Sequence, residues 1–136
     1  MKFETRLLNE NDYDEILVKW WKDWGWEAPS RDFLPGDGTS GLIVFDGDEP
    51  ICAGFIYMTN SGVAWVDWII SSKTYTDKNN RKEAICLLIE SLTLIAKNSG
   101  AKYSYALIKH KGLIKTYEES GYTQADSYST EMIKKL

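Results

Sequence analysis

Between Tyr13 and about Trp24 the apolar positions Tyr13, Ile16, Leu17, Trp20, Trp21 and Trp24 recur at spacings of three and four, which is one face of a helix. A second stretch from Arg81 to about Asn98 does the same with Ile85, Leu88, Ile89, Leu92 and Ile95, and Asn98-Ser99-Gly100 stops it. A third, shorter helix is predicted from about Lys111 to Ser120 on Leu113, Ile114 and Tyr117, with Gly121 as its left-handed terminator. Elsewhere the period falls towards two. Lys2 to Leu8 sets Phe3, Thr5 and Leu7 against Lys2, Glu4 and Arg6, a half-buried strand. Gly41 to Phe45 and Pro50 to Thr59 flank Asp46-Gly47-Asp48-Glu49, which reads as a hairpin. Val63 to Ser71 is apolar at both parities except for Asp67 and is expected to be a central strand covered on both faces. Tyr103 to Lys109 and Tyr122 to Lys134 are read as two further strands.

The connecting segments fit this order. Gly25 to Ser40 carries Pro29, Pro35, Gly36, Asp37 and Gly38, so it reads as a loop with room for one helical turn. Loops of that length inside a compact domain are usually functional or mobile. Ser71 to Asn80 is polar and turn-prone. The predicted order is strand, helix, three antiparallel strands, helix, strand, helix, strand. That order gives an α/β (α+β) class: one domain over 1–136, with a mixed, mostly antiparallel sheet and helices on both faces.

Composition narrows the classes of function. The 136 residues suffice for one core without staples. The 43% apolar and 26% charged composition is that of a globular chain, and no apolar run reaches the roughly 20 residues that a bilayer requires. No membrane association is expected. Met1-Lys2-Phe3-Glu4 has no signal-peptide core, so a cytoplasmic location is expected. A net charge of −4 argues against a surface built to grip nucleic acid. Cys52 and Cys86 sit among apolar neighbours as small hydrophobes do, and two such cysteines make neither a metal site nor an expected disulfide. The terminal strands are edges open to pairing, which is compatible with a monomer or a homodimer.

Several residues carry candidate chemistry. Asp67 is the sole ionisable group in its strand; burial would raise its pKa towards that of a useful base, or it is a buried carboxylate paired to backbone or a Trp N–H. Tyr117 is either a core aromatic with its hydroxyl at the surface or a proton donor. His110 stands at the end of a strand, where an imidazole can cap a helix or contact a ligand. Four of the six tryptophans fall at Trp20, Trp21, Trp24 and Trp26. With Tyr57, and with Asp23, Glu27, Asp32 and Asp37 near the loop, Trp21, Trp24 and Trp26 are candidates for a substrate wall, while a partner surface is equally compatible with exposed tryptophan.

The closing order of strand, helix and strand, with Tyr117 followed by Gly121-Tyr122, resembles the GNAT superfamily of N-acyltransferases over essentially the whole chain. The resemblance implies acetyl-CoA as co-substrate, its pantetheine lying where the central strand parts from Tyr103 to Lys109. The acceptor would be a primary amine of a small molecule or peptide. Backbone N–H groups of Ile69, Ile70 and Ser71 would polarise the thioester carbonyl, Tyr117 would be the general acid and Asp67 the base. In that family a Q/R-x-x-G-x-G/A turn binds the pyrophosphate through backbone amides at a helix N-terminus. Here Asn79-Asn80-Arg81-Lys82-Glu83-Ala84 takes its place without either glycine, and the same residues also read as an ordinary solvated first helical turn. His110 stands where the family often has asparagine, seven residues before the tyrosine. A GNAT-fold binding module that has lost its cofactor is the alternative to the enzyme.

Overall fold

The computed structural model describes residues 2–127 and 130–136. Five strands form one sheet in their order along the chain: β1 (Phe3–Leu7), β2 (Gly41–Asp46), β3 (Glu49–Met58), β4 (Val63–Ser71) and β5 (Tyr103–Tyr105). The first four pair antiparallel, and β4 and β5 run parallel. A parallel pair needs a long crossover, which α2 (Lys78–Asn98) supplies. A wide π-type turn over Tyr13–Leu17 runs into α1 (Val18–Asp23) on one face of the sheet, and α2 with α3 (Lys111–Glu119) covers the other. The mixed sheet with helices on both faces is the predicted class.

Each helix buries the stripe that its sequence announced. Leu17, Trp20 and Trp21 pack on Ile43, Ala53, Phe55 and Ile70, while Leu88, Ile89 and Leu92 pack on Val44, Ile51 and Val66. Each such fully buried aliphatic side chain contributes about 2 kcal/mol. Between β2 and β3 the backbones lie so close that a Cβ on Gly41 would stand 2.0 Å from the Gly54 carbonyl oxygen, and one on Gly54 would stand 2.5 Å from Ile69 Cδ1. Two glycines therefore fix how tightly the sheet packs under α2.

Four expectations need correction. Leu7 is 68% exposed rather than inside, because β1 is an edge strand met by the α2-side core only at Phe3, and Leu8 turns in on the α1 side instead. The long helix begins at Lys78, ahead of the expected Arg81, because Asp77 caps it. The strand expected over Tyr103 to Lys109 pairs only at Tyr103–Tyr105. No strand forms over residues 122–127 or 130–134: Thr123 to Ser127 is an exposed polar run, and Tyr122 turns its ring inward. Tyr128 and Ser129, also placed in that strand, lie outside the described residues.

Candidate active site

The central feature is a bulge in β4. Ala53 pairs with Ile70 and Phe55 with Asp67, so β4 spends one residue more than β3 opposite Gly54. Trp68 takes the extra step at φ +57°, a conformation that costs a bulky side chain on the order of 1–2 kcal/mol. Three contacts hold it there. Its N–H donates to Asp67 Oδ1 at 2.8 Å, its ring meets the edge of Phe33 at 5.9 Å, and it packs on the α1-side core. Asp67, registered opposite Phe55, faces the same side.

Just before the bulge the sheet forks. β4 pairs with β5 only at Val63–Trp65, and beyond that the chain from Ala106 diverges. Asp67 reaches across the fork, where its Oδ2 accepts the Leu107 N–H at 3.2 Å. Burial raises the Asp67 pKa above the usual carboxylate range, outweighing the stabilising N–H groups of Trp68 and Leu107. From the α2 side Tyr117 donates its hydroxyl to the Val66 carbonyl at 2.7 Å, and its side chain is buried. Burial first, then the charge of Asp67 and the neighbouring Tyr122, push the phenol well above its ordinary pKa, so it keeps its proton. Tyr117 is thus a core aromatic, but its hydroxyl lies buried on the Val66 carbonyl rather than at the surface. Tyr122 stands edge-on to Tyr117 at 5.0 Å, its hydroxyl within hydrogen-bonding distance of Thr93 and Ser104. A cleft of about 660 Å³ opens beside Tyr117, between residues 104–109, α3 and the C-terminal segment.

The turn from β4 into α2 is built differently. Asp77 caps α2, its Oδ1 accepting the Asn80 N–H at 3.0 Å and its Oδ2 the Asn80 side-chain amide at 2.9 Å. Asn79 and Asn80 are therefore helical rather than loop residues. Arg81 folds back to the carbonyls of Ser72 and Tyr75 and lies over the Trp24 ring, while its Nε is buried without a partner among the described residues. Lys82 pairs with Glu119 at 3.2 Å, Glu83 is exposed, and Ala84 faces the sheet in the core. Of the six residues proposed for a phosphate turn, Ala84 is thus a packing residue, and the Asn80 amide already has an acceptor. His110 caps α3 by accepting the Leu113 N–H at 3.4 Å.

The aromatic residues divide into two groups. Trp21 is a core residue, 4% exposed, and cannot be part of a substrate wall. The Trp24 indole donates to the Ser71 carbonyl at 2.8 Å, and Trp26, 53% exposed, stacks on it at 5.8 Å. These two therefore stand at the far end of β4, about 10 Å along the sheet from Asp67, since the residues opposite, Phe55 and Cys52, are three steps apart. Tyr57 is the one aromatic of the expected wall that lies near Asp67. It pairs across the sheet with Trp65, which pairs in turn with Tyr105, and all three share the Asp67 face. The sequence reading missed Trp65 and Tyr105, which only the register of three strands brings together. Ile70 is buried in the α1-side core, Ile69 packs on the α2 side, and the Ser71 carbonyl is taken by Trp24. The expected oxyanion segment thus lies immediately past the bulge.

No family model and no curated protein matches the sequence. Solved structures do match the fold. A GNAT family acetyltransferase from Staphylococcus aureus is 17% identical, with 98% of this chain and 100% of that one covered and a TM-score of 0.61. A glucosamine-6-phosphate N-acetyltransferase from Arabidopsis thaliana is 11% identical over 98% and 100%, with a TM-score of 0.65. An aminoglycoside N-acetyltransferase solved with CoA is 14% identical over 96% and 94%, with a TM-score of 0.64. These likenesses show that the chain has the fold of the GNAT acetyltransferases.

Proposed function

We propose that the protein is an acyltransferase that moves an acetyl group from acetyl-CoA to a primary amine. The observation that carries this reading is the fork beyond Trp65, reached from one face of β4 by Asp67 and from the other by Tyr117. The opening leaves room for an extended acyl-carrying arm beside β4, and it puts a raised-pKa carboxylate and a protonated phenol at the same place. The fold is also shared with acetyltransferases, one of them held with CoA.

The residues divide the work by charge. Acetyl-CoA supplies the activated carbonyl. Asp67 accepts a proton from the incoming ammonium and passes it to solvent, leaving the nitrogen lone pair free to attack. The new C–N bond forms, the C–S bond breaks, and Tyr117 exchanges its Val66 acceptor for the departing sulfur and protonates it. The nitrogen gives up its second proton as the adduct collapses, which restores Tyr117 and leaves a net release of one proton. N–H groups past the bulge, at Ile69 to Ser71, face the developing oxyanion.

A second reading, a GNAT-fold binding module without catalysis, is favoured by one observation: the Asp77 carboxylate caps the helix N-terminus where a pyrophosphate would dock. Calorimetry with acetyl-CoA separates the two. The enzyme reading expects saturable binding below about 1 mM, worth roughly 4 kcal/mol or more. No heat at that concentration would sink it and leave the module.

A further inference from the structure

On the α1 side of the sheet, α1 and the loop before β2 cover Ile43, Ala53, Phe55 and Ile70, and the loop meets the fork at Phe33. What they leave open is aromatic. Tyr57 on β3, Trp65 on β4 and Tyr105 on β5 form one registered row across three neighbouring strands. Trp65 meets Tyr105 edge-on at 4.5 Å, and Tyr105 is 36% exposed. None of the three belongs to the buried core on that side. Two residues along β4, on the same face, stands the Asp67 carboxylate.

The polar groups here are few and largely occupied. The Tyr57 hydroxyl donates to the Phe33 carbonyl at 3.0 Å, which ties the loop to this row. Each Asp67 oxygen accepts one backbone N–H, and a carboxylate oxygen has a second lone pair, so the group can still receive a cation without losing its present partners. A ligand rich in hydroxyls would find little here to satisfy them, and burying unpaired hydroxyls costs binding. A flat ring finds three aromatic faces and edges, and an ammonium group finds a carboxylate flanked by π systems.

We propose that this row is the acceptor subsite and that it selects a primary ammonium carried on an aromatic body, with Asp67 receiving the cation and Tyr57, Trp65 and Tyr105 receiving the ring. The inference rests on the acyltransferase reading only for the fate of the bound amine, because binding itself needs no acyl donor. Complementarity of charge sets the occupant: the same row without Asp67 would hold a neutral ring equally well.

The test is a calorimetric and NMR titration of the intact protein, without acyl donor, using 2-phenylethylamine, 2-phenylethanol and glucosamine as probes. Phenylethylamine is expected to bind saturably, with the alcohol and the amino sugar each weaker by about tenfold or more. Asp67→Asn should weaken the amine about tenfold and leave the alcohol unchanged. Tyr105→Leu, at an exposed position that does not threaten folding, should weaken both aromatic probes alike. Glucosamine binding as tightly as phenylethylamine, an unchanged phenylethylamine affinity in either variant, or no binding of any probe would overturn the assignment. Acetyl transfer to glucosamine by a protein that ignores phenylethylamine would overturn this inference and leave the enzyme standing. Phenylethylamine binding with no transfer from acetyl-CoA would remove the enzyme and leave the subsite.

Discussion

The two ends of β4 treat their polar groups in opposite ways. At the fork, Asp67 stands on one face of β4 and Tyr117 reaches the other face from α3, and each spends its hydrogen bonds on backbone atoms that border the gap. At the turn into α2, Asp77, Asn80 and Arg81 spend theirs on one another and on the turn itself. A helix N-terminus attracts an anion only as far as its N–H groups and dipole remain unanswered. Here the Asp77 carboxylate has answered one of them, the Asn80 N–H, and set a negative charge at the helix end. On the proposed function, the chemistry would be concentrated at the fork and the phosphate end of the acyl donor left to the surrounding cations. Lys73, Lys78, Arg81 and Lys82 stand against Asp77, Glu83 and Glu119, the last paired with Lys82, so one positive charge is in surplus there in a chain of net charge −4.

The largest effects should come from the fork. Tyr117→Phe removes the proton donor and is expected to lower turnover by about a hundredfold with little change in the acetyl-CoA KM. It also leaves the buried Val66 carbonyl without its partner, so unfolding free energy should fall by about 1–3 kcal/mol. Urea denaturation and steady-state kinetics on the same preparation separate the two losses. A variant destabilised but fully active would make Tyr117 purely structural and take away one side of the comparison.

Asp67→Asn should cost about ten- to a hundredfold in turnover and abolish the acid limb of the pH–rate profile, since the amide cannot accept the proton. An unchanged profile would remove Asp67 as the base. Stability gives a second readout, with a definite sign. Burial holds the folded-state pKa of Asp67 above its unfolded value, so between the two the folded protein keeps a proton that the unfolded chain has released. Stability from this group is therefore present in acid and lost as pH rises through that window. Thermal melts of wild type and Asp67→Asn should draw apart in favour of the wild type on acidification. Asp12 works the other way: burial opposes its charge, but Arg6 and the Asn9 N–H outweigh it and hold its pKa low. Its contribution is lost as pH falls through the depressed value, and Asp12→Asn should remove that acid sensitivity.

The sequence revealed residues whose role depends on their own neighbourhood. Helical spacing gave the tryptophan face over Trp20 and Trp21 and the stripe over Leu88 and Leu92. Asp67 stood out because nothing else in its strand ionises, and Gly121 adopts the positive φ that a helix stop requires. What escaped depends on register or on competition between partners. Trp65 and Tyr105 belong together only because β4 and β5 pair in one alignment and not in another one residue removed. The bulge at Trp68 has no glycine to announce it. The run from Tyr122 was read as a strand following the tyrosine helix, yet β5 offers a ladder of only three residues, and the polar side chains of Thr123 to Ser127 gain nothing by burial. Asp77 escaped because its capping role depends on where α2 begins, three residues ahead of the expected Arg81.

The smallest expected effect bears most directly on the contrast between the two ends. Asp77→Ala frees the Asn80 N–H and removes a negative charge from the start of α2. Loss of the cap should destabilise the protein by about 1 kcal/mol. If the turn still meets phosphates, the same change should tighten acetyl-CoA binding roughly two- to fivefold, because the positive end of the helix then faces the ligand instead of Asp77. A variant that is less stable and yet binds better separates the two functions of one residue, since a general loosening of the turn would weaken both together. Binding that falls in step with stability would mean that the cap orders the very turn the donor needs, and the contrast drawn between the fork and the turn would collapse.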